Sequence, residues 1–426
     1  MKESGYNFLL YDSGYGYWYN ALSGSYFRLS GPVSRKLSGL LDVPDEIKEV
    51  SETLFDKLVN GGFLVSDDTD ELQIIRQKHH DAVHSKHYFL IVLPTLNCNF
   101  KCWYCIQDHV PSKMSPKTFD AIKRHIEYMI AERKIESLHL DWFGGEPFMY
   151  FDQVIKPLSE FAIAKCDEYG IPFINGSTTN GYFIDERIAD ALTDLRFTQF
   201  QITLDGDKEH HNKVKYMNGC DSAFDHVLTN IDRFLSKNSK VRVFLRINYT
   251  HDTLSSNIVD DVNRHIKVEN RNRVVITPKK VWQENVDKSF TDVLVDILDK
   301  FSESGYRVSR KDMSHTFTPC YVNLEYYNAI NFNGHVVKCT ACNDLYLKQP
   351  KGILLDNGHI QWNDDYDKKC IEPTFENDLC LNCRKLPTCM GLCPRNHMAG
   401  MTGCKYNSMD EDFEKSLLNF LINEYK

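Results

Sequence analysis

The sequence predicts an α/β protein: a partial (β/α)6 barrel of the TIM type, with a small winged-helix-like α+β module before it and a cysteine-rich domain after it. Three observations carry this. Between about residues 86 and 304, short apolar runs alternate six times with amphipathic stretches of helical period. Ahead of them, residues 1–85 show aromatic runs broken by Ser/Gly turns and then two helical patterns. Behind them, in 305–426, regular patterning fades and nine of the fourteen cysteines fall between Cys320 and Cys404.

In the first segment, Phe8–Tyr11, Tyr17–Tyr19 and Tyr26–Leu29 read as a β-meander. Helices are expected near Pro32–Leu41 and Pro44–Val59, the second with Val50, Leu54 and Leu58 on one face. Gly61-Gly62 ends it, Phe63–Val65 is a short closing strand, and the charged segment Asp67–His84 leads onward. In the middle segment the strands are Tyr88–Leu93, Leu138–Phe143, Phe173–Thr178, Phe200–Leu204, Val241–Asn248 and Val274–Pro278. Ser115 is a natural N-cap with Pro116 at the first helical position; Phe119, Ile122, Ile126, Met129 and Ile130 form the stripe that follows. Further helices are expected near 152–168, 185–194, 224–236, 257–266 and 289–303. Six units are fewer than the eight of a closed barrel, so an open one fits, with functional loops at the carboxyl ends of its strands. In the last segment Phe413, Leu417, Phe420, Leu421 and Tyr425 mark an amphipathic helix that packs back on the body.

Composition narrows the function. With 426 residues and 42% hydrophobic content the chain is long and apolar enough for a buried core. A net charge of -9 offers no basic footprint for nucleic acid or an anionic membrane. Neither a signal peptide in MKESGYNFLLYDSG nor an 18-residue apolar span is evident, so the expectation is a cytoplasmic enzyme. In a reducing compartment, clustered cysteines point to metal and not to disulfides.

The first cluster is Cys98-x3-Cys102-x2-Cys105, on the loop after the first barrel strand. Three thiolates on one loop can hold three corners of a [4Fe–4S] cube and leave one iron open; electron-transfer clusters usually take four. The alternative is a zinc site completed by His109. This spacing, with aromatic Tyr104 just before the third cysteine, resembles the signature of the radical S-adenosylmethionine (SAM) superfamily. Gly144-Gly145-Glu146-Pro147 resembles its GGEP-type loop, which binds the methionine amino group: glycines let carbonyls approach an ammonium and a carboxylate complements its charge. Thr179-Asn180-Gly181 and Thr203-Leu204-Asp205-Gly206 resemble segments that contact the ribose and carboxylate of SAM. Arg246 is placed to pair with that carboxylate. The resemblance thus implies cosubstrate contacts at Tyr104, Gly144, Gly145, Glu146, Pro147, Asn180, Thr203, Asp205 and Arg246. Thr203 and Arg246 read equally well as ordinary strand-end residues.

The second cluster, Cys320-x13-Gly334-x4-Cys339 followed by Cys380-x2-Cys383-x5-Cys389-x3-Cys393 and Cys404, resembles the seven-cysteine SPASM extension. Two zinc ribbons are the alternative. The resemblance implies two auxiliary [4Fe–4S] clusters, making three in all. Cys320, Cys339 and Cys393 would serve the first and Cys380, Cys383, Cys389 and Cys404 the second. Cys342 or Cys370 would complete the first, unless it is left open to a substrate thiolate. Cys166, on an amphipathic helix, reads as a core residue. Cys220, on a loop after the fourth strand, reads as an ordinary thiol or as a hydrogen-atom donor.

The function implied is reductive cleavage of SAM and hydrogen abstraction from a ribosomal peptide, forming a thioether or carbon–carbon crosslink. The implied partners are a precursor peptide whose leader is bound by residues 1–85, and an electron donor of the flavodoxin or ferredoxin kind. Residues 1–85 serve equally well as a structural cap. Other readings are peptide epimerisation, formylglycine formation, or a non-catalytic redox scaffold. Sulfatase-maturing enzymes carry an aspartate where this chain has Thr340, which counts against the second. A scaffold has no use for a GGEP loop.

Overall fold

The computed structural model describes residues 1–284, 290–309, 317–341, 344–346, 349–405 and 413–425. The chain forms two compact units, each discontinuous in sequence. One comprises 1–85, 310–325 and 367–426; the other comprises 86–309 and 326–366. The expected division into 1–85, 86–304 and 305–426 therefore does not follow the compact units.

In the first unit, strands β1 (Lys2–Glu3) and β5 (Leu64–Val65) pair antiparallel. The meander β2 (Asn7–Asp12), β3 (Tyr15–Asn20) and β4 (Tyr26–Ser30) forms a three-stranded sheet. Alternation along β3 explains its aromatic run: Trp18 packs with Leu37, Leu41, Ile47, Leu58 and Phe63, while Tyr17 and Tyr19 face the other way. There they join Phe8 and the terminal helix Phe413–Glu424, with Phe8 and Phe413 ring centroids 5.4 Å apart. Helix α1 spans Gly31–Ser38. The single helix expected at 44–59 is two, α2 (Pro44–Val50) and α3 (Glu52–Asn60). Ser51 between them is extended, at φ -161°, and its hydroxyl accepts from Leu54 N. Serine stabilises a helix N-terminus better than an interior, so it splits the pattern. The charged connector contains helix α4 (Glu71–Val83), capped by Asp70, which buries Ile75, His79 and Val83 on one stripe. A histidine within that stripe hides it from a hydrophobicity pattern.

The second unit is built on parallel strands β6 (His87–Leu93), β7 (Ser137–Trp142), β8 (Phe173–Thr179), β9 (Phe197–Asp205), β10 (Arg242–Tyr249) and β11 (Val274–Lys280), in that order. Short β12 (Arg307–Val308) extends one side. On the other, β13 (Tyr327–Asn331) pairs parallel with β6, followed by antiparallel β14 (His335–Val337), β15 (Gly352–Leu354) and β16 (Ile360–Trp362). These strands come from the stretch expected to form a separate domain poor in regular pattern, and they lengthen the barrel sheet to eleven strands among the described residues. Helices α5 (Pro116–Ala131), α6 (Lys156–Tyr169), α7 (Glu186–Ala191), α8 (Lys208–Val214), α9 (Ala223–Lys237), α10 (Asn257–Asn263), α11 (Val268–Arg271) and α12 (Phe290–Glu303) connect them. Ser115 caps α5 by accepting from Thr118 N. One face of the sheet, including Leu138, Leu140, Trp142, Phe200 and Ile202, shares a core with residues of these helices such as Ile122, Leu158 and Phe234. Cys166 lies fully buried in this core. The opposite face carries alternate, half-buried residues.

Candidate active site and metal centres

The cysteine loop leaves the carboxyl end of β6 and folds back on itself. Thr95 Oγ1 donates to Ser112 O at 2.7 Å and accepts from Asn97 N at 2.9 Å, while Leu96 N donates to Ser112 Oγ. Cys98 and Cys102 are half-buried and Cys105 is exposed. Backbone hydrogen bonds join this loop to the GGEP segment: Gly145 N to Thr95 O at 3.1 Å and Glu146 N to Asn97 O at 2.9 Å. The close approach requires both glycines. A Cβ at Gly144, whose φ is +128°, would lie 2.2 Å from Thr95 O, and one at Gly145 would lie 2.1 Å from Asn97 O. Pro147 opens a 3₁₀ turn.

Glu146 is fully buried, and its carboxylate is engaged within the protein. One oxygen accepts from Thr179 Oγ1 at 2.7 Å and Phe148 N at 3.0 Å, the other from Asn180 N at 2.8 Å. Burial nevertheless pushes its pKa up to about 7. Its oxygens bind inward, and it ties the end of β8 to the GGEP loop. Asn180 extends the tie: its amide nitrogen lies 2.7 Å from Asn99 Oδ1 and 3.8 Å from Cys98 Sγ, while Phe100 N approaches the same sulfur at 3.4 Å.

Opposite, Tyr104 donates its hydroxyl to Asp205 at the end of β9. Asn248 Nδ2 reaches the same carboxylate at 3.3 Å, and Arg246 Nε donates to Asn248 Oδ1 at 2.8 Å. Asp205 has a second partner that sequence reasoning missed. Lys215 Nζ lies 3.1 Å from Asp205 Oδ2 and 2.6 Å from the carbonyl of Thr203. Both charged side chains are only 4% exposed. Burial raises the Asp205 pKa, but the Lys215 ammonium and the Tyr104 hydroxyl outweigh it and leave the carboxyl below its ordinary value. Nothing local singles out Lys215 among the charges of Lys208–Lys215. Thr203 contributes its backbone carbonyl here. Cys220 contacts the Tyr182 hydroxyl, and Tyr182 meets Phe100 edge-on at 5.6 Å.

The thiol donors fit a metal cluster. Amide hydrogens point at Cys98 Sγ, as hydrogen bonds to cluster sulfurs do. Without metal, burial pushes Cys98 up to about 12 and raises Cys102 and Cys105, an order that a bound cation inverts. His109 Nε2 lies 3.3 Å from Cys105 Sγ. Among the described residues, no group of three or more His, Cys, Asp or Glu side chains is already drawn together around one point.

Of the C-terminal cysteines, Cys320, Cys370, Cys380, Cys383, Cys389, Cys393 and Cys404 belong to the first unit and Cys339 to the second. Cys342 lies outside the described residues. Cys380 feels the charges of Cys383 and Cys404, and Cys389 those of Cys380 and Cys404. Cys320 and Cys393 are exposed, whereas Cys370 is fully buried, with its sulfur 3.9 Å from Met398 Sδ.

Comparison with known proteins adds three relationships. The GTP 3′,8-cyclase of Haemophilus influenzae (strain PittEE) is 28% identical over 167 residues, 38% of this chain and 46% of that protein. The cysteine-type anaerobic sulfatase-maturating enzyme of Clostridium novyi (strain NT) is 27% identical over 146 residues, 33% of this chain and 38% of that protein. The chain therefore spans less than half the length of either curated relative. The crystal structure of Streptococcus suis SuiB bound to precursor peptide SuiA superposes with a TM-score of 0.52 and 16% identity, covering 93% of this chain and 96% of that one. At that identity the likeness is one of fold. Residues 92–256, which contain the three-cysteine loop, the GGEP segment and the Asp205–Lys215 pair, match the profile of the Radical SAM superfamily, so this chain carries a Radical SAM domain.

Proposed function

We propose that this chain is a peptide maturase that reductively cleaves SAM and abstracts hydrogen from a ribosomal precursor peptide, installing a thioether or carbon–carbon crosslink. The observation carrying this reading is the backbone pairing of the three-cysteine loop with the GGEP segment inside a Radical SAM domain. Cys98, Cys102 and Cys105 would hold a [4Fe–4S] cluster with one open iron. The chemistry supplied by the loaded site is one-electron cleavage of the SAM sulfonium to methionine and a 5′-deoxyadenosyl radical. The chain's own residues bind and orient. Backbone carbonyls of the GGEP segment receive the methionine ammonium, and Glu146 holds that segment in place. Arg246, whose Nε is fixed by Asn248, presents the rest of its guanidinium to the methionine carboxylate. Asn180, Thr203 and the Tyr104–Asp205 pair line the same end of the barrel.

The peptide half of the proposal draws on the likeness to SuiB, which spans nearly the whole chain. Residues 1–85 would take the leader by strand addition at an edge of the β2–β3–β4 sheet. Cys380, Cys383, Cys389 and Cys404 would carry one auxiliary cluster. The test is anaerobic reconstitution with iron and sulfide, followed by SAM and a reductant. 5′-Deoxyadenosine should form, and Cys98→Ala, Cys102→Ala or Cys105→Ala should abolish it. Co-expression with small peptides encoded beside the gene then reads the product by mass. A loss of two hydrogens means crosslinking, and an unchanged mass with a D-residue means epimerisation. Absence of 5′-deoxyadenosine under all conditions would remove the enzyme reading.

A further inference from the structure

The helix-free face of the barrel sheet differs from the filled interior of a closed barrel. There, layers of bulky branched side chains leave no room for a ligand. Here the alternate residues of β7–β10 on that face include His139, Asp141, Gly176, Gln199, Thr203 and Arg246. His139, Asp141, Thr203 and Arg246 are half-buried between fully buried neighbours in sequence; Gln199 is half-buried beside half-buried Thr198, and Gly176 is buried. On the same face Ile174 and Phe244 remain 40% and 36% exposed.

Three of these side chains converge on one glycine. Asp141, Gly176 and Gln199 lie side by side across three strands. A Cβ at Gly176 would meet Asp141 Oδ1 at 2.5 Å, His139 Nε2 at 3.0 Å and Gln199 Cγ at 3.2 Å. Gln199 Nε2 donates to His139 Nε2 at 3.3 Å, which leaves the histidine neutral with its proton on Nδ1. His139 Nε2 lies 4.0 Å from Asp141 Oδ1, and burial holds the ring pKa down to about 4, so it supplies no counter-charge at neutral pH. Asp141 has no other ion partner among the described residues, and its side chain is 14% exposed. No neighbouring charge offsets its burial. The Phe89 ring, 4.1 Å from the His139 ring, forms an apolar wall beside that histidine.

A carboxylate without a cation, one residue pair along the sheet from an aromatic ring and on an accessible sheet face, is complementary to one kind of group. We propose that Asp141, with His139, Gly176 and Gln199, forms a specificity subsite that receives a cationic side chain, a lysine or arginine, of the substrate peptide. This rests on the peptide-modifying reading above. Asp141 and Gln199 accept from the ammonium or guanidinium, Phe89 packs along the methylene stem, and Gly176 keeps the cradle open.

The test is equilibrium binding to the reconstituted full chain of three blocked tripeptides, acetyl-Gly-Xaa-Gly-amide with lysine, norleucine or glutamine at the centre. The lysyl peptide should bind about ten-fold more tightly than the other two, the effect of one charge-assisted contact. Its affinity should fall with added salt while theirs does not. Asp141→Asn should reduce the preference to within about two-fold. Gly176→Ala, which fills the cradle and leaves the carboxylate, should do the same. Equal affinities, no measurable lysyl binding, or an undiminished preference in Asp141→Asn would overturn the assignment. If the variants fail to fold, the salt dependence and the ranking in the parent chain decide. 5′-Deoxyadenosine formation separates the two failures: turnover without lysyl preference sinks this inference alone, and no turnover sinks the reading beneath it.

Discussion

Replacing Lys215 by methionine isolates the buried ion pair at the end of β9. At 3.1 Å and an effective dielectric of about 20, the attraction between Lys215 and Asp205 is about 5 kcal/mol, most of it offset by desolvation of the two charges. Methionine fills a similar volume but leaves Asp205 charged at 4% exposure. Removing one partner of such a pair costs about 3–5 kcal/mol. Tyr104 and Asn248 still donate to the carboxylate, which places the cost at the lower end, near 3–4 kcal/mol. For a unit of this size that lowers the melting temperature by roughly 6–16 °C. Differential scanning calorimetry of the metal-free chain reads it directly. Adding Asp205→Asn removes the stranded charge and should restore more than half of the loss. The sign of the pH dependence follows from the depressed Asp205 pKa. Its contribution is complete above the ordinary carboxyl value of about 4 and disappears as pH falls through the lower folded value. The gap between parent and Lys215→Met should therefore close in acid. A Lys215→Met protein melting within a degree of the parent, or a double variant no better than the single, would refute the reasoning.

Other perturbations have equally definite outcomes. Gly145→Ala places a methyl 2.1 Å from Asn97 O and must displace the cysteine loop; iron and sulfide bound per chain at the first cluster should fall, as counted by metal analysis in a background lacking the C-terminal cysteines. Asp141, pushed up to about 7 by burial, favours the folded state fully only below its unfolded value and loses that contribution as pH rises through 7. Asp141→Asn should therefore be more stable than the parent at pH 8 by about 1–3 kcal/mol and show no such gain at about pH 3, below the unfolded value, measured by denaturant unfolding. Ser51→Ala removes the hydroxyl that accepts from Leu54 N and should cost about 1 kcal/mol in the first unit, read from its unfolding midpoint.

Local pattern alone determined the six barrel strands, the Ser115 cap, the three-cysteine loop and the GGEP segment. Each is written in residues close together in the chain, where period, spacing and turn chemistry act. The meander was legible for the same reason, since aromatic runs between Ser/Gly turns have one economical arrangement. Tertiary structure decided the rest. The direction of Glu146 depends on amides from β8, thirty-odd residues away, so its inward binding could not be read from GGEP itself. Lys215 is one cation among several in its segment, and only the register of β9 and β10 with the helix that follows reveals which of them is buried against Asp205. The strands after residue 326 join the barrel because β13 finds the open edge of β6, an outcome set by unsatisfied backbone groups and not by composition. The convergence of His139, Asp141 and Gln199 over Gly176 exists only across three paired strands. Sequence period assigns such residues to a face; the lateral register alone decides which of them meet.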